Sequence, residues 1–399
     1  MLVSGSGQAH GGTRQVVLLG GLLVTALGWM GLAIMAASML SASPPRAGFD
    51  LALVLEAGER VAAGRSPYDP ALLAGANPPA SVDLFFAYPP VVGQAAALLA
   101  GTPLPMALAG LWSLAVAGLV WGIHRLAAAA AVGDPGLVAV LALAVLPFVS
   151  PFAVALLFGN LDALFPAVFA VLLWWAEAGS RRAILFAGVG LGLASVTKLG
   201  PLIVFVWLAI RALRSKGGRD STQAGAVLVT GLATIAGCLA VSLLGFGIGP
   251  WQEYLAASRV VAGAELVEPR NIGPAAQVAL WLGGGEADAR LLHVFVFGVA
   301  VAATALAAWR VAHAGAGLFV AAVASLVVLP ITWFHYPAVL LPFALGRMMR
   351  VAEGGVGAWW WGPAAGVVAA VAVAWPPLLW LAVALVALGY RTRLRTGVA

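Results

Sequence analysis

The stretch AILFAGVGLGLASVTKLGPLIVFVWLAIRALR, residues 183–214, decides the class of fold. It contains two apolar runs, 183–197 and 199–214, which meet at Lys198. A helix needs about 20 apolar residues to cross the ~30 Å hydrocarbon core of a bilayer, and each run is shorter than that. We therefore predict a hairpin of two helices whose tip, with its lysine, lies at or within the far boundary of a membrane.

The composition of the whole chain agrees with a membrane protein. The 399 residues include only 21 Lys and Arg and 15 Asp and Glu, so that 9% are charged, while 62% are hydrophobic. The mean hydropathy is +1.02. An ordinary soluble domain carries about 25% charged residues, and it cannot bury so much apolar surface. These values exclude a water-soluble enzyme and a nucleic-acid-binding protein, although the pI is near 10.1. The single cysteine, Cys238, excludes a disulfide within the chain.

Hydropathy predicts an all-α polytopic membrane protein, residues 1–399 forming a single integral membrane domain. About twelve membrane spans are expected, several of them too short to cross alone. The candidate spans are 16–40, 104–124, 136–157, 161–178, 183–197, 199–214, 223–246, 291–309, 317–331, 337–347, 358–375 and 376–390. The apolar segment 86–101 would break the alternation of sides if it crossed, so we interpret it as a re-entrant or surface-lying segment.

Basic residues predict the orientation, because cytoplasmic loops carry an excess of Lys and Arg. They fall at alternate span ends: His124-Arg125, Arg181-Arg182, Arg211 to Arg219, Arg310, Arg347, Arg350, and Arg391, Arg393 and Arg395. With the N-terminus inside, the tails 1–15 and 391–399 are cytoplasmic, and the long loops 41–103 and 247–290 are extracytoplasmic. These two loops carry most of the acidic residues, so we expect a multi-pass plasma-membrane protein that works on its outer face.

The first outer loop carries the first candidate site residue, Asp50. It precedes the segment 51–63, in which apolar residues lie on one side of a helix and Glu56, Glu59 and Arg60 on the other. This pattern predicts an amphipathic helix lying in the membrane interface. At the helix N-terminus, Asp50 is either a plain N-cap or a carboxylate available for chemistry.

Two tyrosines and an asparagine in the outer loops are further candidates. Tyr68 lies in GRSPYDP, residues 64–70, which is a turn by composition. Tyr88 lies in the aromatic stretch FFAYPP, for which an aromatic belt at the membrane surface is the ordinary account. Asn271 lies in the second outer loop, where polar groups could meet a soluble acceptor.

Polar residues also stand at three predicted outer joins between spans. Asn160 and Asp162 either cap the helix that follows them or belong to a site. Lys198 either snorkels to the interface or, as a compact ammonium, binds a phosphate. His335 belongs either to an aromatic belt, next to Tyr336, or to a site as a phosphate donor or acid–base group.

All these polar groups are predicted on one face of the membrane. Positive groups beside a possible base at membrane depth fit a lipid-phosphate substrate. The sequence contains no H-E-x-x-H, P-loop or G-x-S-x-G motif in a fitting context, so a protease, an ATPase or a hydrolase has no support.

In these motifs the chain resembles glycosyltransferase family 87, whose members are polyprenyl-phosphate-sugar-dependent enzymes of the C-type (GT-C) membrane fold. The resemblance runs from about residue 49 to residue 345. The matching elements are Phe49-Asp50, Gly64 to Asp69, Phe86 to Pro90, Gly159-Asn160-Leu161, Gly188 to Pro201, Asn271-Ile272-Gly273 and His335-Tyr336. The chain departs from the family pattern at 51–54, which lacks an aromatic pair, and at Ile272, where Gln is usual.

The resemblance implies an inverting transferase that uses a polyprenyl-phosphate sugar, with mannose or arabinofuranose as the sugar and a glycolipid or glycan as the acceptor. It implies Asp50 as the general base, and Lys198 and His335 as ligands of the donor phosphate. It implies substrate contacts by Tyr68, Tyr88, Asn160, Asp162, Asn271 and Tyr336. No metal or other cofactor is expected, since fixed cations can take its place, and the partners are the lipid-linked donor, the acceptor and the bilayer.

Two other function classes stay open from the residues alone. A flippase or secondary transporter for lipid-linked sugars would use charged residues as a pathway, but it predicts charges spread through both leaflets and an internal repeat. A membrane scaffold without catalysis would make Asp50, Lys198 and His335 incidental.

The predicted orientation can be tested by labelling. Single cysteines introduced as Asp69→Cys and Gly217→Cys, in a chain from which Cys238 is removed, should react with an impermeant maleimide from opposite sides of the membrane. Labelling of both from the same side would show that the predicted topology is wrong.

Overall fold

The computed structural model describes residues 6–43, 46–73, 85–131, 134–214 and 218–352. Over these ranges the chain is helical and contains no β-strand, which confirms the predicted all-α class. The spans predicted at 358–375 and 376–390 and the tail 391–399 lie outside the described residues.

Sixteen α-helices make up the described part of the chain. They are α1 (Ser6–Leu40), α2 (Phe49–Ala62), α3 (Pro70–Leu73), α4 (Pro90–Ala96), α5 (Leu104–Ala129), α6 (Pro135–Val145), α7 (Ser150–Phe158), α8 (Phe165–Ala178), α9 (Arg181–Thr197), α10 (Ile203–Arg214), α11 (Arg219–Phe246), α12 (Gly249–Glu265), α13 (Pro274–Trp281), α14 (Glu286–Arg310), α15 (Ala314–Val327) and α16 (Leu341–Ala352). Short 3-10 helices extend or precede five of them, at Ala97–Leu99, Leu146–Phe148, Leu161–Leu164, Gly200–Leu202 and Tyr336–Leu340.

The predicted number of spans is not confirmed. Among the described residues, five helices are long and apolar enough to cross a membrane: Leu19–Leu40, Leu104–Ala129, Leu161–Ala178, Arg219–Phe246 and Glu286–Arg310. A sixth crossing results if the bent pair α6 and α7 is counted as one span. The helices α9, α10 and α15 contain 17, 12 and 14 residues, so none of them matches the thickness of a bilayer by itself.

The span predicted at 136–157 is not one helix. It is broken at Val149, and the two halves differ in direction by 70°. Pro147 and Pro151 flank the break, and proline removes backbone hydrogen bonds and clashes with the preceding turn. The bend therefore follows from the local sequence, although apolar periodicity alone does not reveal it.

The predicted outer loops contain helices. The amphipathic helix expected after Asp50 is α2, which buries Leu51, Val54 and Leu55 and exposes Glu59. The segment predicted at 86–101 is the short helical unit Pro90–Leu99, which packs on α2 where a Cβ at Gly58 would lie 2.5 Å from the backbone of Ala96. The loop 247–290 contains α12 and α13, which the sequence analysis did not predict.

The hairpin formed by α9 and α10 packs against the long helix α11. Helix α9 approaches α11 through Gly188 and Gly192, and a Cβ at Gly192 would lie 2.7 Å from the carbonyl oxygen of Gly231. Small residues four positions apart allow such close contact between membrane helices, where dispersion replaces the hydrophobic effect. The position of the helix end at Thr197 is thereby fixed by backbone contact.

The basic helix ends gather at one end of the bundle. Arg211, at the end of α10, forms a 2.8 Å ion pair with Asp220 and donates to the carbonyl oxygens of Val311 and Ala312. Gln223 of α11 donates to the carbonyl oxygen of Gly179, which follows α8. The other ends of α8, α9 and α10 therefore lie at the opposite end of the bundle, next to Asp162 and Lys198 in the sequence.

Candidate functional site

Asp50 is held in place by a close contact between two chain segments. Gly48, with a φ of 70°, precedes α2, and its backbone N–H donates to the carbonyl oxygen of Leu157 at 2.7 Å. Gly159, also with a φ of 70°, follows α7, and a Cβ there would lie 2.7 Å from the Cβ of Leu51. Only glycine permits this approach at a left-handed φ. The first turn of α2 therefore packs directly against the C-terminal end of α7.

The carboxylate of Asp50 contacts Asn160 and does not cap its own helix. Gly48 is the N-cap of α2, without a side-chain hydrogen bond. The Nδ2 of Asn160 donates to the Oδ2 of Asp50 at 2.7 Å. The Oδ1 of Asn160 accepts from the backbone N–H of Asp162 at 2.9 Å and so caps the 3-10 helix that precedes α8. Asn160 thus caps this turn and also contacts Asp50, while its contact with a substrate stays a prediction.

Burial controls the acidity of Asp50. Removal from water raises the pKa of its carboxyl to about 6, because burial disfavours the charged form. The hydrogen bond from Asn160 and the charge of Lys198 counteract this rise, and the charge of Asp162 adds to it. Asp50 is therefore ionised at neutral pH but is a much better proton acceptor than an exposed carboxylate.

Lys198 stands where the hairpin reverses. Helix α9 ends at Thr197, Lys198 is extended with φ −151° and ψ 134°, and the chain resumes a helical course at Gly200. A Cβ at Gly200 would lie 2.7 Å from the carbonyl oxygen of Ser325, so this position requires glycine. Because of this break, the side chain of Lys198 points into the protein, towards Asp162.

The ammonium of Lys198 is bound by a carboxylate and two aromatic rings. Its Nζ lies 2.7 Å from the Oδ2 of Asp162, whose side chain is 2% exposed. It lies 3.7 Å from the ring centroid of Tyr336 and 5.9 Å from that of Tyr88. An ammonium over an aromatic face is attracted by the ring quadrupole. With a side chain that is 19% exposed and ion-paired, Lys198 does not snorkel.

His335 lies behind the same carboxylate. Its Nε2 is 3.7 Å from the Oδ2 of Asp162, and the side chain is 4% exposed. The imidazole packs edge-on against Phe334 and Tyr336. Among the described residues, neither ring nitrogen has a hydrogen-bond partner. Burial lowers the pKa of His335 well below its usual value, so the ring is neutral. The residue is buried and is not part of an exposed aromatic belt.

Tyr68 and Tyr88 differ in their surroundings. Tyr68 is fully buried, and its hydroxyl donates to the backbone carbonyl of Tyr88 at 2.8 Å. Tyr68 therefore positions the segment that carries Tyr88, and its hydroxyl is already used. The ring of Tyr88 lies beside Lys198, and its hydroxyl contacts the backbone of Leu161.

Asn271 joins two loops. Its Nδ2 donates to the carbonyl oxygens of Leu266 and Pro330, and its Oδ1 accepts from the backbone N–H groups of Gly273 and Thr332. The residue is fully buried. These bonds fasten the second outer loop to the segment that leads into His335, while contact with a substrate stays a prediction for Asn271.

The structure thus brings together most of the predicted site residues. The cluster consists of Asp50, Tyr88, Asn160, Asp162, Lys198, His335 and Tyr336. It contains two carboxylates, one ammonium and one neutral imidazole from segments far apart in the sequence. Such an arrangement can accept a proton at one place and bind an anion at another. No group of three or more His, Cys, Asp and Glu suited to a metal ion occurs within the described ranges.

Sequence reasoning missed a polar and aromatic contact on α12. Glu253 accepts a hydrogen bond from the hydroxyl of Ser66, and the ring of Tyr254 lies 6.4 Å from that of Tyr68. Helix α12 thereby packs against the segment that contains Ser66 and Tyr68. A run such as WQEYL, residues 251–255, gives no local signal of this contact, because its partners lie almost two hundred residues earlier.

The titration of Asp50 tests the geometry of this cluster. Asn160→Ala removes a hydrogen bond that favours the ionised carboxyl, so the pKa of Asp50 should rise above about 6. Infrared difference spectroscopy of the carboxyl C=O band against pH measures it, and Asp50→Asn identifies the band. An unchanged midpoint in Asn160→Ala would contradict the contact.

Comparison with known protein families shows which family the chain belongs to. A model of glycosyltransferase family 87 matches residues 86–332, more than half of the chain. The match includes Asn160, Asp162 and Lys198, while Asp50 precedes it and His335 follows it. No curated protein and no solved structure matches the chain. The chain therefore belongs to glycosyltransferase family 87 and is a glycosyltransferase with several membrane-capable helices.

Proposed function

We propose that this glycosyltransferase moves a sugar from a polyprenyl-phosphate donor to a glycolipid or glycan acceptor on the extracytoplasmic face of the plasma membrane, with inversion at the anomeric carbon. The observation that carries the proposal is the proximity of two complementary groups. The charge of Lys198 lowers the pKa of Asp50, while Asp50 is hydrogen-bonded to Asn160 and Lys198 is paired with Asp162. A base and a phosphate-binding cation are thus side by side without neutralising each other directly.

The donor phosphate is assigned to Lys198 and His335. An ammonium is a point-charge partner for phosphate, and it has three N–H donors. Asp162 accepts only one of them in the structure. His335 adds a neutral imidazole without a hydrogen-bond partner among the described residues. We propose that Tyr88 and Tyr336 contact the substrate next to this phosphate, because both rings flank the ammonium.

Asp50 is assigned to the acceptor hydroxyl. Its carboxylate would remove the hydroxyl proton as the oxygen attacks the anomeric carbon from the side opposite the phosphate. The bond from the anomeric carbon to the phosphate oxygen breaks, and the phosphate leaves with the electron pair. A carboxyl with a pKa of about 6 is close to the ideal for a base working near neutral pH.

The charge that develops on the leaving phosphate is stabilised by groups that are already in place. Preorganised donors aimed at developing charge supply a large part of many enzymes' rate enhancement. Because Lys198 supplies a fixed cation, we expect transfer without a divalent metal. The sugar is proposed to be mannose or arabinofuranose, on the family resemblance alone.

Replacement of Asp50 tests the proposal. Purified protein is incubated with a radiolabelled polyprenyl-phosphate sugar and an envelope lipid extract, and label in the acceptor fraction is counted. Asp50→Asn removes the base but keeps the size and hydrogen-bonding capacity of the side chain. The initial rate of transfer should fall about 10²–10⁴-fold, the usual contribution of general acid–base catalysis.

Glu59→Gln is the matched control, because it makes the same chemical change at an exposed position on the same helix. Its rate should equal that of the wild type. Undiminished transfer by Asp50→Asn would remove Asp50 from the catalytic role. Absence of transfer with any lipid-linked donor, together with movement of the donor across vesicle membranes, would instead indicate a flippase or transporter.

A further inference from the structure

The ion pair between Asp162 and Lys198 has a consequence for the release of product. We propose that Asp162 is an exchangeable counter-ion, which holds the Lys198 ammonium before the donor binds and takes it back from the phosphate after transfer. Asp162 is then a positioning residue that acts through Lys198. The inference rests on the proposed function, in which Lys198 receives the phosphate of the donor.

The carboxylate of Asp162 makes a close contact with Lys198 and a longer one with His335. Its side chain is 2% exposed, and its Oδ2 lies 2.7 Å from the Nζ of Lys198. Within the described part of the chain, its Oδ1 has no hydrogen-bond partner. Buried polar atoms in stable structural networks are normally hydrogen-bonded, and an incompletely satisfied buried carboxylate is costly. Stabilisation of the partly buried ammonium therefore accounts for Oδ2 of Asp162 but leaves its Oδ1 unexplained.

The ammonium of Lys198 can be reached by a second anion. The side chain is 19% exposed, in contrast to the almost fully covered Asp162. Two of its N–H donors remain after Asp162 has accepted one, since an ammonium carries three. A bound phosphate would therefore share the cation with Asp162, and the two anions would repel each other across it.

The chemistry of transfer makes this repulsion selective for the product. The donor is a phosphodiester with one negative charge. When the bond between the anomeric carbon and oxygen breaks, the phosphate keeps the electron pair and becomes a monoester, which carries about −1.5 to −2 charges at pH 7. Asp162 consequently repels the product phosphate more strongly than the donor phosphate. Departure of the product restores the ion pair between Asp162 and Lys198.

A binding experiment with the full-length protein in detergent tests the proposal, with farnesyl monophosphate as the product probe. Asp162→Asn keeps the shape of the side chain but removes its charge. We expect the Kd for farnesyl monophosphate to fall about tenfold, because the variant removes a charged group that competes with the phosphate for Lys198. The Kd for the diester methyl farnesyl phosphate should fall less, and the binding of neutral farnesol should not change.

In the transfer assay, the same variant should show a lower kcat and stronger inhibition by added product. Asp220→Asn is the matched control, because this aspartate also pairs with a buried cation, Arg211, but at the other end of the bundle. It should leave both Kd values unchanged. A variant in which Lys198→Ala is combined with Asp162→Asn should bind farnesyl monophosphate as weakly as Lys198→Ala alone, since the effect acts through the ammonium.

Two results would overturn the inference. Equal or weaker binding of the monoester by Asp162→Asn would show that Asp162 does not compete with phosphate. A tenfold gain that persists in the Lys198→Ala background would show that the competition does not involve Lys198. Failure of the proposed function is distinguishable from both, because the wild type would then transfer no sugar, whatever its affinity for the phosphate esters.

Discussion

The ion pair between Asp162 and Lys198 is the interaction on which the site depends. A lysine in an apolar hairpin is costly within a membrane protein unless a partner or a wet cavity receives it. The 2.7 Å contact supplies that partner, and the ring of Tyr336 covers another side of the ammonium. The contact joins the end of α9 to the start of the segment that leads into α8. Two elements that carry the site are thereby held in one place.

Asp50 is tied to this pair through Asn160. The side-chain oxygen of Asn160 caps the turn that contains Asp162, and its side-chain nitrogen donates to Asp50. The left-handed glycines Gly48 and Gly159 allow α2 to approach closely enough for this contact. Asp50 and Lys198, the proposed base and the proposed phosphate-binding cation, are thus connected through Asn160 and Asp162, as preorganisation of a catalytic site requires.

The sequence predicted the all-α class, the break at Lys198 and the helix that follows Asp50, because each has a local cause in apolar periodicity or in glycine and proline. It also predicted that the rare polar groups lie on one face of the membrane, and the structure brings seven of the candidate residues together. The number of spans was not confirmed, because short apolar runs do not show whether a helix crosses. The packing of Tyr68 and Asn271 was not predictable, because their hydrogen bonds join distant loops.

In the proposed mechanism, the carboxylate of Asp50 accepts the proton of the acceptor in a site shared with Lys198. The pH dependence of kcat/KM for sugar transfer tests it most directly, because this quantity reports the ionisation of the free enzyme. Since Asp50 has a pKa of about 6 and acts when ionised, kcat/KM should be constant above pH 7 and fall about tenfold per pH unit well below 6. A profile that stays flat down to the range of an ordinary carboxyl group, near pH 4, would contradict the account.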